Sequence, residues 1–260
     1  MILTVDIGNT NIKVGAWDAD KLVFVSRMHT NTKSTADEYA VQILDIFMLH
    51  SCNSAQFDGA IISSVVPPLS GTLKTAVERV IHSKRVLLVS PGLKTGLNIK
   101  IDDPSTLGAD IVCASVAAIA KLELPCILIS MGTATAMGYI DKDGAFNGGS
   151  VSPGVFISLE ALAQRTAQLP HISIEDPTEI IGTNTIACMK SGIIYGTASM
   201  IDGMILRMRE AVGEDNISVY AFGGLASGIV GHCREEVIVE EDLVLEGLRI
   251  LFHKNMKTYL

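Results

Sequence analysis

Near the start of the chain, apolar and polar positions alternate in short runs separated by turn residues. "ILTVDIG" and "NIKVGAWD" predict a β-hairpin around a glycine turn, and "KLVFVSRMHT" predicts a third strand. The period then lengthens. In "STADEYAVQILDIFMLH", Tyr39, Val41, Ile43, Leu44, Ile46 and Phe47 keep helical register behind Ser34 or Thr35 as N-cap. A buried strand follows in "GAIISSVVPP", ending at its two prolines, and then a helix in "LSGTLKTAVERVIH" and a strand in "RVLLVS". The Gly- and Pro-punctuated "PGLKTGLNIKIDDPSTLGAD" reads as loop, and a small-residue helix runs from about Asp110 to Leu122.

The pattern then restarts. "PCILISMGTATAMGYIDKDGAF" again reads strand, glycine turn, strand, hairpin. Aligning "VDIGNTNIKVG" with "ISMGTATAMGY" sets Gly8 against Gly132 and Asp6 against Ser130, each pair 124 positions apart. A repeat of this length is two copies of a βββαβα-like unit rather than a solenoid. Helices in "SLEALAQRTAQL" and "TNTIACMKSGIIYGTASMIDGMILRMREAV", strands in "ISVYAFGG" and "EVIVE", and a helix in "EDLVLEGLRILFHKNM" complete the chain. The expected fold is α/β, with two domains and a cleft between them. The first takes residues 1–120 and the second 121–240, with the boundary near Lys121–Pro125 and the last helix, 241–260, packed back on the first domain.

Composition narrows the class. A mean hydropathy of +0.38 raises the question of a membrane. The longest apolar stretch, "ADIVCASVAAIAKL", is well short of the ~20 residues a spanning helix needs, and its Ala and Ser content predicts a tightly packed buried helix. No basic leader or cleavage site precedes the first strand. The five cysteines form no CxxC pair, so reduced, mostly buried thiols in a cytoplasm are expected. A net charge of -8 with scattered Lys and Arg argues against a nucleic-acid partner, which needs clustered cations.

The two glycine turns carry the candidate chemistry. Glycine lets the backbone approach phosphates, and amide, Asn and Thr groups donate to their oxygens. Neither GxxxxGK[ST] nor a strand followed by GxGxxG occurs. Asp6, at the end of the first strand, suits a hydrated Mg2+ on a phosphate chain, a hard cation that takes one or two carboxylates plus water. Gly8, Asn9, Thr10, Asn11 and Lys13 can donate to the phosphates. A plain hairpin turn also favours Asp, Gly and Asn, but two such turns in one chain shift the reading toward phosphate.

"DIGNTN", "ISSVVPP", "GAD", "GTAT", "GGSVSPG", "TAQLP", "GTNT", "FGGLA" and "LVLEGL" occur in this order. In them, over nearly its whole length, the chain resembles the type III pantothenate kinases of the sugar kinase, Hsp70 and actin superfamily. That resemblance implies two RNase-H-like (actin-like ATPase) domains with a central nucleotide cleft. It also implies a homodimer that moves the ATP γ-phosphoryl group to the terminal hydroxyl of pantothenate, the first step of coenzyme A biosynthesis. Mg2+ and a monovalent cation, K+ or ammonium, would serve as cofactors. At the matching positions, Asp6, Ile7, Gly8, Asn9, Thr10, Asn11, Ile12 and Lys13 form the first phosphate loop, and Gly132 and Thr133 belong to the second. Asp110 matches the catalytic base, a role that suits a carboxylate able to orient a hydroxyl and take its proton, although a helix N-terminus also favours Asp. Gly108, Ala109 and Ile111 would line the acceptor site with Asp110, and Thr185 would reach it across the dimer or serve as a helix cap. Gly223 and Gly224 would lie against the adenine or form a strand-end turn.

The chain departs from the family's pattern at defined places. Relatives carry an aspartate, the monovalent-cation ligand, where Ser130 stands; a neutral hydroxyl weakens that site. Relatives often have a second aspartate at the position of Gly138. Ile111 replaces an arginine suited to clamping the pantothenate carboxylate, and Ile101 replaces a tyrosine. Asp6 and Asp110 remain. Three readings follow: a pantothenate kinase that compensates elsewhere, a kinase for a less anionic pantothenate-like alcohol, or a non-catalytic nucleotide-binding relative. A phosphatase or ATPase of the same superfamily would need a water-activating carboxylate beyond these two. His29 and His171 read as surface or satisfied-core histidines, the methionines of "MIDGMILRMRE" as packing, and the acidic run "EEVIVEED" as a solvated helix approach.

Overall fold

The computed structural model describes residues 1–83 and 85–256. It forms two compact units. One takes in the described residues of Met1–Leu97, Asp102–Leu122 and Asp242–Leu260, the other Asn98–Ile101 and Glu123–Glu241. In chain order the first unit contributes β1 (Ile2–Ile7), β2 (Asn11–Asp18), β3 (Lys21–His29), α1 (Ala36–Leu49), β4 (Gly59–Ser64), α2 (Pro67–Val80) and β5 (Val86–Leu88). The short β6 (Asn98–Ile99) belongs to the second unit and α3 (Ala109–Lys121) to the first. The second unit continues with β7 (Cys126–Met131), β8 (Ala134–Ile140), β9 (Ala145–Pro153), α4 (Val155–Arg165), α5 (Thr185–Val212), β10 (Ser218–Phe222), α6 (Ala226–Val230) and β11 (Ile238–Val239). The chain then returns to the first unit as α7 (Leu243–Met256); residues 257–260 of the expected last helix lie outside the described residues.

The first sheet runs β3-β2-β1-β4-β5, antiparallel among β1, β2 and β3 and parallel from β1 through β4 to β5. Alternation sorts its side chains onto two faces. Leu3, Val5, Ile7, Ile12, Val14 and Ile62 form one core with Tyr39, Ile43 and Phe47 of α1 and Leu69, Leu73 and Val77 of α2. Thr4, Asp6, Lys13, Gly15 and Ser63 therefore take the opposite face, where α7 packs on β1, β2 and β4, and α3 packs on β4 and on α7. Those two helices meet closely: a Cβ at Gly247 would run into the Cys113 carbonyl. Thr35, rather than Ser34, caps α1 in a reciprocal capping box with Glu38. Val41 and Leu44, expected on the buried face, are exposed. The prolines expected to end β4 instead open α2, where their fixed φ and missing N–H suit a first turn.

The second sheet runs β11-β10-β7-β8-β9-β6. Apart from β6 it has the order and the parallel and antiparallel pairings of the first. β1 and β7 share one burial pattern along six residues, and Ile2 to Cys126 and Lys21 to Ala145 are again 124 positions apart. Ile127, Ile129 and Met131 form the core of one face with Met189, Ile193 and Ile201 of α5 and Ala226 and Ile229 of α6. The cysteines are less buried than expected: Cys113 and Cys126 are buried, Cys52 and Cys233 partly so, and Cys188 is exposed. Among the described residues no helix is long and apolar enough to cross a membrane.

Candidate active site

In the first unit, β1 carries Asp6 to its carboxyl end, and the turn Gly8–Thr10 follows. Pairing puts Lys13 of β2 on one side of Asp6 and Ser63 of β4 on the other, and neighbours in register share a face. Asp110 lies in the first turn of α3, and Cys113 one turn further along. Asp6 Oδ1 and the Ser63 hydroxyl are buried and make no hydrogen bond. Burial, and then the Asp110 carboxylate, lift the Asp6 carboxyl from 3.8 to about 7, with Ser63 and Lys13 opposing. Burial also raises Asp110, against the pull of the backbone N–H groups of Ile111 and Asp110 itself. Cys113 is held well above the ordinary thiol range by burial and by both carboxylates, so it is an inert neutral neighbour. Two acids crowded together, one with an orphaned buried oxygen, form a place that gains by receiving a cation.

Lys13, expected to face phosphate, has its ammonium 2.8 Å from Asp242, the residue before α7. The run "EEVIVEED" is therefore more than a solvated approach, since its last residue reaches the site strand. Gly108 and Ala109 lead directly into Asp110, and Ile111 beside it is half-buried.

In the second unit, Gly132 and Thr133 form the turn between β7 and β8, closed by the Gly132 N–H on the Ala134 carbonyl at 3.0 Å. This turn is one residue shorter than that of Gly8–Thr10. In consequence Ala136, paired with Ser130, is the counterpart of Lys13, and Gly138, paired with Leu128, is the counterpart of Gly15. The Asp–Lys pair of the first repeat has become Ser–Ala in the second. Gly223 and Gly224 follow β10, and the Leu225 N–H bonds the Met131 carbonyl at 3.4 Å. Thr185 is the exposed first residue of α5; the cap is Asn184, whose side chain accepts from the Ala187 N–H at 3.0 Å. With Leu162, Leu169 and Met189, Thr185 lines an open cavity of about 740 Å³, a feature separate from the Gly132 turn. Ile101 belongs to the second unit.

The first unit thus gathers Asp6, Lys13 and Asp110, and adds Ser63, Cys113 and Asp242, which reading the sequence passed over. The signal for Ser63 was its register opposite Asp6, invisible until β4 is paired with β1.

Two sheets of one repeated order, each with a glycine turn after its central strand, define an actin-like two-domain ATPase fold. The activator of the 2-hydroxyisocaproyl-CoA dehydratase from Clostridium difficile, solved with bound ADPNP, shares it with a TM-score of 0.56 at 9% identity, over 99% of this chain and 96% of that one. Within that fold the chain belongs to the type III pantothenate kinase family, whose model matches residues 2–207. It is similar to the type III pantothenate kinase of Exiguobacterium sp., at 43% identity over 99% of this chain and 100% of the relative. The type III pantothenate kinase of Geobacter sulfurreducens is 42% identical over 98% of this chain and 99% of its own length.

Proposed function

We propose that this protein transfers the γ-phosphoryl group of ATP to the terminal hydroxyl of pantothenate, giving 4′-phosphopantothenate at the first step of coenzyme A biosynthesis. The observation that carries the reading is the Asp6–Asp110 pair in a chain 43% identical to a type III pantothenate kinase over 99% of its length. Residues 6–13 hold the phosphates in the first unit, and Gly132 and Thr133 do so in the second. The orphaned Asp6 oxygen fits a hydrated Mg2+, which when bound supplies neutralisation of the phosphate charge. Asp110 orients the acceptor hydroxyl and takes its proton, a task helped by a carboxyl held above its ordinary range. Gly108, Ala109 and Ile111 line the acceptor site, and Thr185 reaches it from a second copy.

The domain division at residue 120 and a cytoplasmic homodimer belong to the same reading. Exposed Phe156, Ile180, Ile181 and Ile186 of the second unit support the dimer. Ser130 leaves the monovalent cation a weak site, because a neutral hydroxyl stands where a carboxylate would bind it. The half-buried, uncharged Ile111 beside Asp110 favours a second reading, a less anionic pantothenate-like alcohol as the preferred acceptor.

Mass spectrometry of reactions holding the purified protein, ATP, Mg2+ and either pantothenate or pantetheine tests both readings. Asp110→Asn is expected to lower turnover about 100- to 10,000-fold while ATP affinity by calorimetry is retained. Absence of phosphorylated product from either alcohol, or full activity in Asp110→Asn, would refute the proposal.

A further inference from the structure

β3 in the first unit and β9 in the second each end against that unit's glycine turn. In the first unit the residue after β3 is Thr30, buried at 8% exposure. Its backbone N–H donates to the Thr10 carbonyl at 3.0 Å, and its hydroxyl donates to the Gly8 carbonyl at 2.7 Å. The Ile7 carbonyl accepts from the Val65 N–H at 3.0 Å, and the Asn11 carbonyl from the Gly8 N–H at 3.1 Å. The carbonyls of Ile7, Gly8, Thr10 and Asn11 are thus all engaged within the unit, while Asn9, Thr10 and Asn11 are exposed to solvent.

A trans peptide is planar, with its C=O and N–H pointing opposite ways. Anchoring the Gly8 carbonyl on Thr30 therefore aims the Asn9 N–H away from Thr30, and anchoring the Thr10 carbonyl does the same for the Asn11 N–H. Such a loop meets an anion with N–H groups. A loop free to turn its carbonyls outward would repel it.

The second unit shows what is particular to Thr30. Its counterpart, 124 positions on, is Gly154, the residue after β9. The backbone bond recurs, from the Gly154 N–H to the Thr133 carbonyl at 3.2 Å. A side chain cannot recur there, because a Cβ would run into the carbonyl oxygens of Gly132 and Thr133. The hydroxyl clamp belongs to the first, longer turn, which has one more peptide plane to fix.

We infer that Thr30 is a positioning residue for nucleotide binding, its hydroxyl holding the Gly8–Asn9 peptide so that the turn presents N–H donors to the polyphosphate. The inference rests on the proposed kinase reading and deepens it at the same loop.

Calorimetric titration of the full chain with Mg2+-ATP, alongside steady-state kinetics with pantothenate, separates the two. Thr30→Val keeps the shape and the backbone bond but deletes the hydroxyl; Thr30→Ser keeps the hydroxyl. Thr30→Val is expected to weaken ATP binding about tenfold, Thr30→Ser at most about twofold, and neither to change KM for pantothenate more than about twofold. Equal ATP affinity in Thr30→Val and wild type overturns the inference even if the melting temperature falls, because that marks a purely structural role. Should Thr30→Val fail to fold, Thr30→Ala, where water can reach the Gly8 carbonyl, replaces it with the same expected loss. Wild-type protein that binds no ATP overturns the kinase reading and this inference together, whereas wild type that binds while the variants match it overturns this inference alone.

Discussion

Replacing Asp6 by Asn should make the folded protein more stable at pH 8 while abolishing its chemistry. Burial and the Asp110 carboxylate raise the Asp6 carboxyl from 3.8 to about 7, a displacement equivalent to at most about 4 kcal/mol. Relaxation of the surroundings around the ionised carboxylate reduces this to about 2 kcal/mol. The sign follows from proton counting. Below pH 3.8 the carboxyl is protonated in both folded and unfolded chains, so it carries no penalty. Between 3.8 and about 7 the unfolded chain ionises while the folded chain keeps its proton, and stability falls across that window; above about 7 the loss is complete. Asn has no proton to lose. Thermal unfolding followed by circular dichroism in EDTA, from pH 4 to 8, should show wild type and variant melting together at the acid end. At pH 8 the variant should melt higher by about 4–8 °C. A constant offset at every pH, or a wild type that is the more stable at pH 8, would refute the electrostatic reasoning. The same variant should lose ATP-dependent turnover, so the carboxylate is kept at a cost in stability.

Two further outcomes follow from the second unit. Against the cost of burial, bonds from Asn147, the Ala145 N–H and the Lys100 ammonium, at 2.8–3.0 Å, hold the Asp141 carboxyl well below the ordinary range, and the Asp143 N–H bonds it too. Asp141→Ala should destabilise by about 1–2 kcal/mol at pH 7 in urea unfolding, and the difference should shrink as pH falls below 3.8, where the unfolded carboxylate takes up its proton. Ser130→Asp should make turnover respond to K+ where the wild type responds little; identical K+ titrations of the two proteins would remove the role assigned to that position.

Much of the fold was legible because the signals are local. Alternation marked the strands, the capping box marked α1, and the shared glycine turn exposed the repeat before any pairing was known. What escaped depended on contacts distant in the chain or on single residues. A turn shortened by one residue leaves the run "GTATA" looking like an ungapped match to "GNTNI", and only the register shows Ala136, not a later residue, across from Ser130. Pro67 and Pro68 satisfy a strand end and a helix start equally well by their own φ, and packing of Leu69 and Leu73 on the sheet decides for the helix. Asp242 looked solvated because its neighbours in the run are acidic; its partner Lys13 is far away in sequence and close in space.

The two repeats have divided the work unequally. The first keeps charge at each of three matched positions or adds a polar grip: Asp6, Lys13 and the Thr30 hydroxyl. The second has Ser130, Ala136 and Gly154 at the same places, and Gly154 lets the backbone come close to the Gly132 and Thr133 carbonyls. A neutral residue at position 130 is compatible with a folded second unit. That position is paired with the neutral Ala136, and a charge placed there would face desolvation with no Lys13 equivalent to offset it. A K+-dependent gain in turnover of Ser130→Asp therefore requires a cation to bind, and the K+ titration measures that coupling directly.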